Sequence, residues 1–450
     1  MMVAINNKSV SSLVDWEAGQ VSREIFVNEE LYRQEQETIF TKSWLLLGHE
    51  SQIPKPGDYF TSRMGEESVI LARDRAGKVH AFLNSCMHRG MKVCRYDEGN
   101  TAVFSCPYHG WSYGLDGKLV GVPHYKQAYQ EKLDKSKWGL VEVAQLHNYK
   151  GTIWANWDPK APSFEDYMGD MLLYLDALLD SRDGSEGGSE VIGGVLKWKF
   201  PSNWKFGEEN FLGDHYHGVS HRSEILTGTG PGGPGTERHG ADGISIRRLT
   251  RGNVSFTKLG HGSGGGPPEL GGTHYFPAFP DNPAIEEYYR KISLERRARL
   301  DHKLYAPAAT GSVFPNMSFH GWYPRGIAVW HPSGPHMTEA WRWFLVDKSA
   351  PDEVKEMLRH YYMQYGGPVG MTEQDDMENW NYATEASKGA IARRHSYNYE
   401  MGIGFEEPVT SLRDAVFTEF MSEQNPRWYY KRWAEMMETD DWGDLFPVKP

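Results

Sequence analysis

Between residues 44 and 105 apolar side chains fall in short runs, at 44–48, 59–63, 68–73, 79–84 and 101–105, cut apart by Gly, Pro and Asp. Runs of this length bounded by turn formers predict β-strands. The pair Asp116-Gly117, inside Tyr113-Gly114-Leu115-Asp116-Gly117-Lys118-Leu119, predicts a hairpin turn, because these residue types tolerate the backbone such turns require. Upstream, residues 28–42 mix charge with apolar positions at helical spacing, so a helix precedes the first strands. After residue 158 the texture changes to a helical run over 163–180 and a polar, glycine-bearing linker over 181–189. Strands are expected at 191–200, 311–319, 327–331 and 337–346, and helices at 204–222, 284–304, 352–365, 372–388 and 425–438. Strands followed by long helices imply an antiparallel sheet wrapped by helices. The chain therefore reads as α+β, with a small all-β domain over 40–158, a larger domain over 159–450, and a segment 1–39 that packs with the larger one. The Gly- and Pro-rich stretches 228–243 and 260–272 read as surface loops.

Length and charge narrow the classes of function. A chain of 450 residues predicts roughly two to four domains. With 48 Lys and Arg against 60 Asp and Glu, the net charge of −12 argues against nucleic acid and anionic membranes as partners, since both need a basic face. The N-terminus lacks a charged stretch followed by an apolar core, and no run is long and apolar enough to span a bilayer. A cytoplasmic protein is expected. Its 16 Trp suffice for both a large core and an apolar pocket.

Two short runs carry the strongest chemical signal. Cys86-Met87-His88 and Cys106-Pro107-Tyr108-His109 each place one thiolate and one imidazole on a loop, with residues 89–105 between them. A zinc site groups its two Cys in one knuckle and its two His in another. A Rieske cluster holds one iron by two Cys and the other by two His, so each loop must serve both irons, as these mixed pairs would. Arg89-Gly90 after the first loop and Gly110-Trp111-Ser112-Tyr113 after the second add small residues that let backbone amides approach cluster sulfurs. Cys94 has no cysteine left to pair with and reads as a small buried apolar side chain. High-potential Rieske proteins carry an extra, disulfide-forming cysteine in each loop. Here Met91 and Tyr108 stand in that neighbourhood, which points to the lower-potential form, and the lack of a disulfide suits a reducing compartment.

A second run, from Asn203-Trp204-Lys205 to His221, suggests another metal. If helical, it sets Asn210, Asp214, His217 and His221 on one stripe, at offsets of four, three and four. Two imidazoles one turn apart can converge on one ion. A zinc hydrolase would carry Glu directly after the first His, as in H-E-x-x-H, but Gly218 holds that position. Two His and one carboxylate on one face of Fe(II) leave positions open for dioxygen and substrate. The acidic run Glu373-Gln374-Asp375-Asp376 offers the carboxylate if Asp214 serves elsewhere, although acidic residues also stabilise a helix start.

With both runs in view, the chain resembles the large (α) subunit of the Rieske non-haem iron aromatic-ring-hydroxylating dioxygenases, the naphthalene and biphenyl dioxygenase family. The matching motifs are the two Cys/His loops, Asn203-Trp204-Lys205, Glu209-Asn210 through His221, Val313-Phe314-Pro315-Asn316 and Glu373-Gln374-Asp375-Asp376. They appear in the family's order and cover nearly the whole length. The resemblance implies a [2Fe-2S] cluster on Cys86, His88, Cys106 and His109, and a mononuclear Fe(II) on His217, His221 and Asp376. It makes Asp214 the bridge from His217 to a neighbouring subunit's His109 and puts Asn210 beside the iron. It further implies a small β subunit in an assembly of three α and three β, and electrons passed from NADH through a reductase and a ferredoxin. One departure stands out: naphthalene and biphenyl enzymes place four or five residues between the iron-binding His, and this chain places three, Gly218 to Ser220.

The implied activity is cis-dihydroxylation of an aromatic ring by O2. Aromatics mixed with small residues near Phe211, Leu212 and Gly366-Gly367-Pro368 suggest a roomy, mostly apolar pocket, suited to a polycyclic aromatic hydrocarbon, although the glycines equally serve a turn. The alternative is a ring monohydroxylase of an aromatic acid such as salicylate, which needs a cationic anchor; Arg247, Arg248 and Arg251 are its candidates. A Rieske module that only transfers electrons is the third reading, opposed by the chain's length and by the second His/Asp site.

Overall fold

The computed structural model describes residues 9–227, 252–270, 282–300, 310–321, 325–439 and 441–446. Its chain forms two compact units, Phe40–Ala161 and a larger one made of Met1–Ile39 with Pro162–Pro450. The smaller is β-rich, and the larger is an antiparallel sheet with helices around it, the α+β class read from the sequence.

In the smaller unit the expected strands form Leu45–His49, Asp58–Met64, Glu67–Arg73 and Val79–Leu83. The run at 101–105 shortens to Phe104–Ser105, and a strand at Glu98–Asn100 appears that the sequence reading lacks, because its exposed Glu98, Gly99 and Asn100 carry no apolar pattern. Asp116-Gly117 does turn between Ser112–Tyr113 and Leu119–Gly121. Cys94 is buried in the core of this unit, and burial pushes its thiol up to about 12, the inert side chain expected.

The larger unit is organised by nine antiparallel strands in the order Ser189–Phe200, Thr338–Asp347, Gly326–Pro332, Met317–His320, Thr310–Val313, Gly262–Ser263, Asn253–Phe256, Ala415–Thr418 and Glu407–Pro408. The expected strand at 311–319 is a hairpin of two strands. The stretch 260–272, expected as a surface loop, contributes buried Gly262 and Ser263 to the middle of the sheet. Glycine there serves close packing: a Cβ on Gly262 would stand 2.9 Å from Asn425 Cγ. The stretch 228–243 and Arg247, Arg248 and Arg251 lie outside the described residues.

The N-terminal helix Glu29–Thr38 starts where Asn28 Oδ1 accepts from the amides of Glu30 and Leu31, at 2.8 and 3.1 Å. It buries Glu35, which accepts from Lys205 Nζ at 2.5 Å, Trp204 Nε1 at 2.9 Å and Trp433 Nε1 at 2.8 Å. Removing one partner of such a buried pair strands the other, so this knot holds the segment to the larger unit. Asn203 caps the next helix through Lys205 N. The Asn203-Trp204-Lys205 motif thus has an architectural explanation.

Candidate metal centres and their cavity

The two Cys/His loops of the smaller unit are versions of one turn. In each, the cysteine amide donates to the carbonyl five residues on, Cys86 to Met91 at 2.9 Å and Cys106 to Trp111 at 2.8 Å. The glycine four residues on donates back to the cysteine carbonyl, Gly90 at 2.8 Å and Gly110 at 3.0 Å. Both glycines hold φ near +70°, at 69° and 74°, which glycine adopts without steric cost.

Cys86 and Cys106 are buried, His88 is half-buried and His109 is exposed. The two imidazoles meet edge to face with centroids 4.5 Å apart, Trp111 stacks on His88 at 4.9 Å, and Tyr108 stacks on His109 at 3.8 Å. Tyr113 Oη lies 3.2 Å from Cys86 Sγ. Burial raises the Cys106 thiol, the neighbouring Cys86 adds to this, and the amides of Tyr108 and His109 oppose it. Burial lowers the His88 imidazole, helped by His109 and Arg89, and its Nδ1 is buried with no hydrogen-bond partner. Two adjacent buried thiols, amides aimed at a sulfur and a neutral imidazole with an orphaned nitrogen fit a cluster that takes one iron on sulfur and one on nitrogen.

In the larger unit the expected continuous helix over 204–222 is not formed. The helix Trp204–Phe211 stops, Gly213 turns with φ 122°, and a 3₁₀ turn follows at Tyr216–His221. A Cβ at Gly213 would lie 2.8 Å from the Gly264 Cα, so strand packing breaks the helix here. Asp214 consequently does not share a helical stripe with the histidines. Its Oδ1 accepts from the amides of Tyr216 and His217, at 3.1 and 3.2 Å, and so starts the 3₁₀ turn. Its Oδ2 stands 3.6 Å from His217 Nδ1, which meets the Asp214 main-chain carbonyl.

His217 and His221 still converge. Their Nε2 atoms are 3.0 Å apart, and Asp376 Oδ1, from the helix Met371–Ser387, lies 3.3 Å from His221 Nε2 and 3.6 Å from His217 Nε2. Among the described residues this is the group of three whose ligand atoms all lie within 4.8 Å of one another. Donors about 3 Å apart suit neighbouring bonds of about 2.1 Å to one ion. Asp376 is buried, and desolvation first, then the Glu373 charge, raises its carboxyl well above the ordinary range, against the pull of Arg342. Its Oδ1 accepts no hydrogen bond. A carboxylate held so unfavourably beside two imidazole nitrogens fits a cation ligand, and two His with one carboxylate is the Fe(II) donor set.

The sequence reading missed the surroundings of this group. Asp375 Oδ2 lies 3.5 Å from His221 Nδ1 and accepts from Ser223 Oγ at 2.6 Å. Carboxylates so placed behind a metal-bound His fix its ring and tautomer. Arg342 pairs with Glu373, three residues before Asp376, and both are buried. The available signal was an arginine inside the otherwise apolar run Trp341-Arg342-Trp343-Phe344-Leu345-Val346. Asn210, Phe211, Phe344 and Arg342 join the three donors around a cavity of about 800 Å³, its open mouth included. Its walls are more polar than the sequence reading expects.

Comparison with known proteins covers both units. Residues 43–146 match the Rieske [2Fe-2S] domain, and residues 184–439 match the ring hydroxylating alpha subunit (catalytic domain). The chain is 38% identical to the biphenyl 2,3-dioxygenase subunit alpha of Rhodococcus jostii (strain RHA1), over 98% of this chain and 94% of that one. It is 37% identical to the chlorobenzene dioxygenase subunit alpha of Cupriavidus sp. (strain PS12), over 98% and 96%. It superimposes on the crystal structure of naphthalene 1,2-dioxygenase from Rhodococcus sp. bound to indole with a TM-score of 0.78, at 34% identity, covering 94% and 95% of the two chains.

Proposed function

Since the chain belongs to the Rieske non-haem iron aromatic-ring-hydroxylating dioxygenases, as a large (α) subunit, we propose that it cis-dihydroxylates an aromatic ring of polycyclic size. One arene, one O2, two electrons and two protons give a cis-dihydrodiol, with both oxygen atoms in the product. The observation that carries this reading is the convergence of His217, His221 and Asp376 in a cavity that Phe211, Phe344 and Tyr365 also line.

Cys86, Cys106, His88 and His109 would hold the [2Fe-2S] cluster, and His217, His221 and Asp376 the mononuclear iron. When bound, that iron offers open positions for dioxygen and substrate, while the cluster supplies electrons one at a time. The chain does the arranging. Asp375 orients the His221 ring from its Nδ1 side. Asp214 sets the turn that aims His217, and its second oxygen is the link to His109 of the partner subunit. Phe211 and Phe344 offer apolar faces to the ring, and Asn210 lies beside the iron donors. Relatives named as alpha subunits support a partner subunit of another kind; the family resemblance makes it a small β subunit in an assembly of three α and three β, fed by NADH through a reductase and a ferredoxin. Among the described residues no helix is long and apolar enough to cross a membrane.

Turnover of naphthalene with isotopically labelled O2 and a reconstituted electron chain tests the reading. Two labelled atoms in the product are expected. One labelled atom would make the protein a monohydroxylase, and none would remove the oxygenase reading.

A further inference from the structure

The strand Thr338–Asp347 alternates its side chains, so Ala340, Arg342 and Phe344 share a face, and Arg342 and Phe344 line the cavity of the iron donors. An arginine here is out of keeping with a pocket for a plain hydrocarbon. Its side chain is 3% exposed. Nη2 meets Glu373 Oε1, and the guanidinium lies over the Phe211 ring at 5.2 Å, yet Nε is buried with no hydrogen-bond partner. Buried guanidinium donors demand acceptors, and one ion pair leaves this demand unmet.

Gly366 lines the same cavity as Arg342. Gly366 has φ −119°, which any residue adopts. Its neighbour Gly367, at φ 84°, is the one the turn requires. Gly366 packs closely on both side chains: a Cβ there would lie 3.2 Å from Phe344 Cζ and 3.7 Å from Arg342 Cδ, so a larger residue would crowd the arginine stem at the cavity wall.

We propose that Arg342 is a specificity-determining residue that receives a carboxylate on the substrate, so that this enzyme prefers a fused-ring aromatic acid over the parent hydrocarbon. The fork of a guanidinium matches a carboxylate in plane and charge, and Phe211, stacked beneath it, also faces the ring system. Arg342 and Asp376 share the cavity through Glu373, one helical turn from Asp376. An acid anchored there points its ring toward the iron donors. This inference rests on the oxygenase reading above, because that reading makes the cavity a substrate site.

The test compares 2-naphthoate, its neutral amide and naphthalene on the holoenzyme, with binding read by equilibrium dialysis and turnover read separately. Wild type is expected to bind 2-naphthoate at least about tenfold more tightly than the amide. Arg342→Gln should raise KM for 2-naphthoate by a factor roughly tenfold to a hundredfold larger than the factor by which it raises KM for naphthalene, and leave the cluster spectrum intact. Arg342→Lys should recover part of the loss. If the Gln variant fails to fold, the wild-type preference for acid over amide decides alone. Equal binding of acid and amide, or an equal loss on both substrates in Arg342→Gln, overturns the proposal. Naphthalene turnover without 2-naphthoate binding would remove the anchor and leave the oxygenase, whereas binding of 2-naphthoate with no oxygenated product would do the reverse.

Discussion

The Cys/His loops and the His/His/Asp group both prepare donors for metal, but they assemble them differently. Each loop closes on itself through two backbone hydrogen bonds and a glycine, so cysteine and histidine are positioned within one short turn. The second group draws two histidines from a 3₁₀ turn and an aspartate from a helix far along the chain. The first is local and repeated, while the second depends on a broken helix meeting another at the sheet. The difference teaches that donor spacing in sequence is a sound guide only where the backbone between donors is self-contained.

Substitutions separate the two. Asp376→Ala should have the largest effect: the protein loses its mononuclear iron and all product formation, while the visible spectrum of the cluster persists. Iron analysis beside that spectrum checks it, and retained iron would move the third ligand, with Asp375 the first place to look. Asp214→Asn should keep both metals and lower turnover by roughly a hundredfold. Normal product formation in a metal-verified sample would take Asp214 out of the circuit. Asp375→Asn should weaken iron retention roughly tenfold, since a carboxylate facing a ligating imidazole raises its basicity; competition with a chelator measures this. The smallest effect belongs to the local site. Tyr113→Phe removes the hydroxyl 3.2 Å from Cys86 Sγ, and loss of one hydrogen bond of roughly 0.5–1.5 kcal/mol should lower the cluster potential by roughly 20–60 mV. An unchanged potential would show that this hydroxyl does not serve the cluster.

Legibility in the sequence followed the same division. The strands of the smaller unit and the strands and helices after residue 325 sit close to their expected places, because short apolar runs bounded by turn residues, and long periodic ones, reflect local preference. The helix from 204 to 222 failed at Gly213, where contact with Gly264 and Asn253 overrides helical periodicity. The 260–272 stretch misled because glycine signals both loose loops and strands packed too tightly for a side chain. Arg342 was overlooked because charge within a strand normally faces water, and only its neighbours in space show that it faces a cavity.

By itself the sequence determined the two-domain α+β plan, the mixed Cys/His loops and the family resemblance, since each depends on residues near one another in the chain. Only the tertiary structure decided how His217 and His221 meet Asp376, which carboxylate faces which nitrogen, and that the cavity holds a buried arginine. Those outcomes depend on packing between distant segments, where burial and close contact outweigh the local propensities that a sequence displays.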